Sequence, residues 1–320
     1  MGISRKEALE CFASDDLIGI GMEADAVRRT LHPEGVVSYA LDRQIRYNPP
    51  NVPIDAIVDH ICAEILDTLD MGGTAAILQD QVAPGQTITW FEDLFRALKL
   101  RFPSLWLHSL SATEILVIAE NSSLALHDTI ARLRDAGLDS IPGNDAGILD
   151  DAVQPQHLRP RVDTAAWLAV HRTAHTLHVA STATLSFGSG ETLEHRINHL
   201  ESIRNLQQET GGFTSFTPSA YLPQTARAQG FEEATAVEYL KALAISRLYL
   251  DNITNIQADL PTQGLKVLQV ALRFGSNDGG SILLANGANA TTEEQLRQVI
   301  RDAGFRPVQR DSLYRTMFLN

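Results

Sequence analysis

Hydrophobic residues recur along the chain with two alternating spacings. Short apolar runs such as VVSYALDRQI (36–45), TAAILQ (74–79) and VASTATLSFG (179–188) are typical of buried strands. Between such runs, segments such as IDAIVDHICAEILDTLDMGG (54–73) and TLEHRINHLESIRNLQQETG (192–211) place apolar residues every three or four positions, as amphipathic helices do. The pattern predicts strands that alternate with helices.

The alternation continues through most of the chain, with a repeat of roughly 30 to 40 residues. It predicts further strands at LWLHSLS, DSIPG and FTSFTP, and further helices over 4–31, 89–103, 112–137, 164–177 and 233–250. Such a pattern favours a parallel α/β sheet covered by helices. Six units, and no G-x-G-x-x-G motif after the first strand, favour a (βα)6 partial or full TIM-like barrel over an open dinucleotide-binding sheet.

The same pattern predicts a single domain with two extensions. Residues 1–35 are an N-terminal helical extension, residues 36–250 are the barrel core, and residues 251–320 complete the same domain. In the last part we expect a helix from about Leu265, a second helix, and a short strand near Val308.

Composition and charge narrow the function. The chain has 320 residues, of which 44% are hydrophobic, and a net charge of −13 without a basic stripe, which argues against nucleic acid and anionic membranes as partners. We find neither an apolar run of about 20 residues nor a signal-peptide pattern. We therefore expect a cytoplasmic protein with a small-molecule substrate. A homodimer is an option that the sequence does not test.

Polar residues follow the predicted strands, where the chemistry of such barrels is located. The carboxyl ends of the strands carry Asp42 and Arg43, 79–81, 108–114, 142–145, 188–191 and 218–221.

Several motifs, in their order along the chain, resemble those of one known family. They are VVSYALDRQIRYN, MGGTAAILQ, LHSLSATEI, AGLDSIPG, FGSGETLEHRINHL, LQQETGGFTSFTP, SRLYLDNITNIQ and LRFGSNDGGSIL. Together they resemble the radical S-adenosylmethionine enzymes of menaquinone and deazaflavin biosynthesis, such as the aminofutalosine and cyclic dehypoxanthine futalosine synthases. The resemblance extends over roughly residues 5 to 315.

The chain departs from that family in the loop after the first strand, which in the family binds an iron–sulfur cluster. There, the first strand leads into a Cys-x3-Cys-x2-Cys loop that binds an iron–sulfur cluster through thiolates. Here RYNPPNVP stands in that place, with Pro49, Pro50 and Pro53, the last suited to the first turn of a helix. The only cysteines, Cys11 and Cys62, match no ligand position. We expect no iron–sulfur cluster and no metal site.

The resemblance also implies cofactor-binding residues. Gly72, Gly73 and Thr74 match a Gly-Gly motif that contacts the amino group of S-adenosylmethionine, although a glycine pair also caps helices. Ser111 and Glu114 match a serine and a glutamate of the family, but S-A-T-E is equally a capping box.

Two further candidates lie on the first strand. Tyr39 and Arg43 share a face of it, and Arg43 is a candidate for binding a carboxylate.

Four residues are candidates for catalysis. Asp80 and Asp145 stand where the family prefers glycine, and carboxylates there would stabilise a sulfonium or act as a base, unless they are solvated loop residues. Glu191 opens a helix, where a carboxylate also has a structural role. His108 is a candidate as well, although a buried core histidine is the simpler interpretation.

The histidines at 171, 175 and 178 lack the companion ligands that a metal site needs. Other departures from the family are Asn144 in PGNDAG, Gly147 in place of a glutamate, Ser189 in place of a histidine and Leu260 in place of a tryptophan.

Three hypotheses for the function follow. The first is an enzyme, a lyase or transferase, that uses S-adenosylmethionine in polar chemistry: ring closure to 1-aminocyclopropane-1-carboxylate with release of methylthioadenosine, or alkyl transfer. The second is a non-catalytic protein that binds a small molecule or a partner. The third is an enzyme that no longer uses the cofactor.

Overall fold

The computed structural model describes residues 2–48, 56–153, 162–221, 230–283 and 291–315, so the three prolines of the shortened loop lie outside it. In chain order its elements are α1 (Arg5–Ala13), α2 (Leu17–Leu31), β1 (Val36–Ile45), α3 (Ile57–Asp70), β2 (Ala75–Leu78), α4 (Ile88–Arg101), β3 (Trp106–Leu107), α5 (Ala112–Ser122), α6 (Leu126–Ala136), β4 (Ser140–Ile141), α7 (Thr164–Thr176), β5 (Ala180–Phe187), α8 (Leu193–Thr210), β6 (Phe213–Ala220), α9 (Ala236–Tyr249), β7 (Asn255–Ile256), α10 (Leu260–Ala271), β8 (Asp278–Leu283), α11 (Glu293–Asp302) and β9 (Arg306–Gln309).

The strands form two parallel sheets. One has the order β3-β2-β1-β8, with β9 also paired to β1, and the other has the order β4-β5-β6-β7. Isolated parallel bridges join them, from His108 to Ser140 and from Gln257 to Asp278. The strands therefore follow one another around a partial TIM-like barrel, which confirms the predicted fold class.

The barrel differs from the prediction where strands are very short. The strand expected over 105–111 has only two residues, because Leu110 has a positive φ of 61° and Ser111 already caps α5. The chain after the predicted core adds β7 and β8 to the wall. A two-residue strand such as β7 has no periodicity from which it could be recognised.

The alternation of side chains along β1 decides which residues face the barrel interior. Asp42 and Gln44 line interior cavities, whereas the Tyr39 hydroxyl donates to Glu293 of α11 and Arg43 pairs with Asp67 of α3. Even-numbered residues of this strand therefore face inward and odd-numbered residues face the helices.

The helices cover the barrel on the outside. α9 is buried along most of its length and packs against α1, α2 and the sheet. None of the described helices is both long and apolar enough to span a membrane.

A buried arginine on α9 ties this helix to the segments around β7 and β8. Arg247 donates to the carbonyls of Gly275 and Thr254, both at 2.8 Å, and to Oδ1 of Asn277 at 2.6 Å. Burial lowers its pKa to about 9. The guanidinium donates to acceptors on the segments that precede β7 and β8, so the packing of α9 depends on it.

We predict that Arg247→Met lowers the free energy of unfolding by about 3 kcal/mol, because it removes three hydrogen bonds from a charged donor, one of them to the buried carbonyl of Gly275. Urea denaturation measures the change. The matched control is Arg29→Met on α2, whose side chain is 63% exposed beside Asp25; its effect should be about 0.5 kcal/mol or less. Equal effects of the two variants would contradict the assigned role of Arg247.

Candidate functional site

Two adjoining cavities occupy the carboxyl-terminal end of the barrel. The outer cavity has a volume of about 800 Å³, and the loops after β2, β3 and β4 form most of its wall. The inner cavity has a volume of about 310 Å³ and lies among the strands themselves. Both volumes suit small molecules. Four residues line both cavities: Gln44, Gln79, Asn144 and Ser186.

A chain of side-chain amides lies where the two cavities meet. Gln79 and Asn144 exchange two hydrogen bonds, with N···O distances of 2.8 and 2.9 Å. Gln44 donates to Oε1 of Gln79 at 3.4 Å. This amide bridge connects β1, β2 and the loop after β4, and we refer to these three residues by that name below.

Glu114 is the most heavily bonded carboxylate of the outer cavity. Its Oε1 accepts from the Tyr47 hydroxyl at 2.6 Å and from the Asp80 N–H at 3.0 Å. Its Oε2 accepts from the N–H and the hydroxyl of Ser111, both at 2.7 Å, within the predicted capping box. Burial raises the pKa of Glu114, although these hydrogen bonds oppose the shift. The residue joins three segments of the cavity wall.

Asp80 is held by an ion pair. Arg46 donates two hydrogen bonds to its carboxylate, at 2.8 and 3.0 Å, and the N–H groups of Asn48 and Gln81 donate two more. Burial alone would raise the pKa of Asp80, but these donors outweigh it and hold the pKa below its ordinary value. The side chain lines the outer cavity as a fixed negative charge, which makes it a poor proton acceptor.

Asp145 is half-buried and also lines the outer cavity. Its Oδ2 accepts from the N–H of Thr113 at 2.8 Å, and its Oδ1 accepts from Nε1 of Trp167 at 2.9 Å. Each oxygen thus keeps acceptor capacity for a further donor.

The outer cavity is therefore acidic. It is lined by the carboxylates of Asp80, Glu114 and Asp145, whereas none of the described lining residues is Lys, Arg or His. Such a cavity favours a ligand that carries positive charge.

The other two predicted catalytic residues lie elsewhere. Glu191 is not among the residues that line either cavity. It pairs with Arg196 at 2.7 Å and accepts from the N–H groups of Gly188 and Ser189; burial opposes this ionisation, but Arg196 and these donors keep the pKa of Glu191 low. Its contacts are those of a structural residue at the start of α8.

His108 lines the inner cavity, with Nδ1 at 2.7 Å from the Ser140 hydroxyl. Burial, assisted by the positive charge of Arg310, lowers the pKa of His108 to about 4. The imidazole is therefore neutral near pH 7.

The expectation for Gly72, Gly73 and Thr74 needs correction. These residues lie between α3 and β2, at the amino end of the strand, and the cavities lie at the other end. The N–H groups of the glycines cap α3, and Gly72 has a φ of +85°. A side chain at Gly73 would approach the Leu41 carbonyl to 2.9 Å. The two glycines therefore cap a helix, which is the alternative that the sequence also allowed.

Tyr39 and Arg43 also lie away from the cavities. The Tyr39 hydroxyl bonds with Glu293 and Arg297 of α11, and Arg43 pairs with Asp67 of α3. The two share a face of β1, as predicted, but it is the face that packs against the helices. In this arrangement neither side chain reaches a ligand in either cavity.

The chain does not fit an iron–sulfur cluster. Such a cluster needs three thiolates in one loop, but the sequence contains two cysteines, one in α1 and one in α3. Within the described residues, no three His, Cys, Asp or Glu side chains are grouped as metal ligands. His171 and His175 both contact the hydroxyl of Ser181, at 2.9 and 2.7 Å.

Sequence reasoning missed some residues that build the site. Arg46 and Tyr47 follow β1 directly and reach Asp80 and Glu114. The only sequence signal was their position at the carboxyl end of a strand. No sequence signal indicated that Gln79 and Asn144 bond to each other, because the two residues are far apart in the chain.

A parallel barrel with ligand-sized cavities at its carboxyl end is the architecture of a small-molecule enzyme. Residues 210–319 match the family model for the CofH/MqnC C-terminal region. Over 98% of its length, the chain is 34% identical to the cyclic dehypoxanthine futalosine synthase of Streptomyces coelicolor, of which the match covers 85%. It is 35% identical over 81% of its length to the aminodeoxyfutalosine synthase of Thermus thermophilus, of which 73% is covered.

Solved structures share the fold. The maturase HydG from Carboxydothermus hydrogenoformans matches 98% of this chain and 78% of its own, with a TM-score of 0.73 and 14% identity. Methylornithine synthase matches 96% of this chain and 94% of its own, with a TM-score of 0.68 and 15% identity. The chain belongs to the radical S-adenosylmethionine superfamily of enzymes, in the branch of the futalosine synthases.

The ion pair of Asp80 makes stability depend on pH. Because its pKa is lower in the folded protein, Asp80 contributes stability above its unfolded pKa of about 3.9, and this contribution disappears as the pH falls through the folded value. We predict that Asp80→Asn lowers the free energy of unfolding by about 1.5 kcal/mol at pH 7. In urea denaturation, the difference from the unmodified protein should shrink as the solution is acidified below the unfolded pKa.

Asp135→Asn is the control, since this carboxylate is 62% exposed beside Arg134. Its effect should be about 0.5 kcal/mol or less at every pH. A difference for Asp80→Asn that grows in acid would contradict the assigned ion pair.

Proposed function

We propose that this protein binds S-adenosylmethionine in the outer cavity and uses it in polar, cluster-independent chemistry. The observation that carries the proposal is the charge of that cavity: three carboxylates line it and, among its described lining residues, no cation. S-adenosylmethionine presents a sulfonium and an ammonium group, and the chain belongs to a superfamily of S-adenosylmethionine enzymes whose members include the cyclic dehypoxanthine futalosine synthase and the aminodeoxyfutalosine synthase that it resembles.

The sequence supports the polar character of the chemistry. A radical route in this superfamily starts from a cluster held by three thiolates, and the chain does not supply them. A sulfonium without an electron donor remains an electrophile at each of its three carbon neighbours. Attack there breaks one C–S bond and leaves a neutral thioether.

The three carboxylates differ in what they offer to this reaction. Glu114 uses both oxygens to hold the cavity wall, and Asp80 is neutralised in part by Arg46. Asp145 keeps spare acceptor capacity and borders the open space. We assign to Asp145 the closest contact with the cation, and the role of proton acceptor. Asp80, which Arg46 offsets in part, and Glu114 hold the wall around it.

Two reactions of S-adenosylmethionine are balanced in atoms and charge. In ring closure, a proton leaves Cα of the amino acid, Cα bonds to Cγ, and the Cγ–S bond breaks, which gives 1-aminocyclopropane-1-carboxylate and methylthioadenosine. In alkyl transfer, a second molecule loses a proton and gains the alkyl group. The first needs no co-substrate, so it is tested first.

We predict that aerobically purified, iron-free protein converts S-adenosylmethionine to methylthioadenosine and an amino-acid product, which mass spectrometry identifies. Asp145→Asn should lower the rate by about tenfold or more, because it removes the charge nearest to the sulfonium. The control is Asp59→Asn on the exposed side of α3, which should retain full activity. Intact cofactor after incubation, both alone and with candidate nucleophiles, would contradict the proposal.

A second prediction concerns the cysteines. The double variant Cys11→Ala/Cys62→Ala should keep the turnover of the unmodified protein, since neither thiol borders the described walls of the cavities. Turnover is compared at equal concentrations of folded protein, verified by circular dichroism. A folded variant without activity would show that a thiol takes part, and activity that depends on added iron and sulfide would show that a metal cluster does; either result would contradict the prediction.

A further inference from the structure

The inner cavity differs in chemistry from the outer one. Its volume, about 310 Å³, is at the small end for ligand sites. Hydroxyl groups dominate its wall, which includes Thr182, Thr184, Ser186, Ser215, Thr217, Ser219, Ser281, Ser312 and Tyr314. Such a wall offers donors and acceptors to a ligand that itself carries hydroxyl groups.

One carboxylate of this wall is incompletely bonded. Asp42 is 6% exposed, and its Oδ2 accepts from the hydroxyl of Ser281 at 2.5 Å. Its Oδ1 is buried and has no hydrogen-bond partner within the described part of the chain. A buried carboxylate oxygen without a donor is costly and rare, and here it belongs to a side chain that lines open space.

The positive charge of Arg310 acts on Asp42 but does not offset the effect of burial, which raises the pKa of Asp42. Arg310 is committed to Asp278, at 2.5 and 3.0 Å, and its guanidinium lies 3.9 Å from the centre of the Tyr314 ring. His108 is neutral near pH 7. Asp259, the other acidic residue of the wall, accepts hydrogen bonds from the hydroxyls of Ser219 and Thr262, and burial raises its pKa.

The contrast with Asp278 shows what Asp42 lacks. Asp278 uses both oxygens: Oδ1 accepts from Gly280 and Arg310, and Oδ2 accepts from Ser38 and Arg310. Asp42 faces the same barrel interior from the adjacent strand with one oxygen unused. The missing donor is therefore a cation or a strong hydrogen-bond donor that the described chain does not provide.

We propose that the inner cavity is a second binding site, for a small hydroxylated primary amine. The ammonium group donates to Asp42 Oδ1, and the hydroxyl groups bond to the Ser and Thr side chains of the wall. The amide bridge separates this site from the outer cavity. Occupancy of the inner site does not require S-adenosylmethionine in the outer one.

The test uses two probes that differ in one group. 2-Amino-1,3-propanediol carries an ammonium group where glycerol carries a hydroxyl. Saturation-transfer NMR titrations at pH 7, without S-adenosylmethionine, should show that the amine binds the unmodified protein about tenfold more tightly than glycerol does. Equal affinities, or no binding of the amine, would overturn the proposal.

Variants locate the site. In Asp42→Asn the preference for the amine should fall below about threefold, since the charge is lost while the shape is kept. In Asp145→Asn, which changes the outer cavity, the preference should persist. Loss of the preference in Asp145→Asn but not in Asp42→Asn would place the amine in the outer cavity and overturn the proposal.

A third variant covers the case in which Asp42→Asn does not fold. Thr217→Leu fills the inner cavity without a change of charge, and no hydrogen bond holds the Thr217 side chain among the described residues. It should lose the amine and retain cofactor turnover in the outer cavity. Retained amine binding in folded Thr217→Leu would overturn the proposal, whatever the outcome for S-adenosylmethionine.

Discussion

The carboxylate of Glu114 holds the mouth of the barrel together. Its two oxygens accept four hydrogen bonds, from the Tyr47 hydroxyl, from the N–H of Asp80 and from the N–H and hydroxyl of Ser111. These donors come from the segments after β1, β2 and β3, which parallel pairing brings to one end of the barrel. The positions of the other two carboxylates depend on this arrangement, because the same segments carry Asp80 and, through Thr113, fix Asp145.

The resulting cavity is acidic by construction. Arg46 stabilises the Asp80 carboxylate from the solvent side, because the Arg46 side chain is 60% exposed. Asp80 lines the cavity and Arg46 is not among its lining residues, so the carboxylate is the member of the pair that faces the cavity. Asp145 is oriented by a backbone N–H and an indole N–H, which are neutral donors that leave its charge uncompensated. A cationic ligand would complete the charge balance that the chain leaves open.

Much of this architecture was predictable from the sequence, because long strands, amphipathic helices and helix caps leave recognisable residue patterns. The long strands β1, β5 and β6 and the amphipathic helices carry clear periodicity, and the capping box at Ser111 and Glu114 appears in both sequence and structure. Of the two-residue strands, β3 and β4 lie within the strands predicted at LWLHSLS and DSIPG, whereas β7 carries too little periodicity to be recognised from the sequence. The side of β1 that faces inward was not predictable either, since Tyr39 and Asp42 are both polar residues on a buried strand and only packing distinguishes them. Gly72 and Gly73 were matched to a cofactor-binding motif of the family, but they lie before β2, at the end of the strand opposite to the cavities.

Recognition of the sulfonium is the central claim of this account, and calorimetry tests it most directly. Titration with S-adenosylmethionine is compared with titration with S-adenosylhomocysteine, which has the same skeleton but a neutral thioether in place of the sulfonium. The account predicts that S-adenosylmethionine binds about tenfold more tightly, and that Asp145→Asn removes most of the difference. Equal or tighter binding of the neutral thioether, or no binding of either compound, would contradict it.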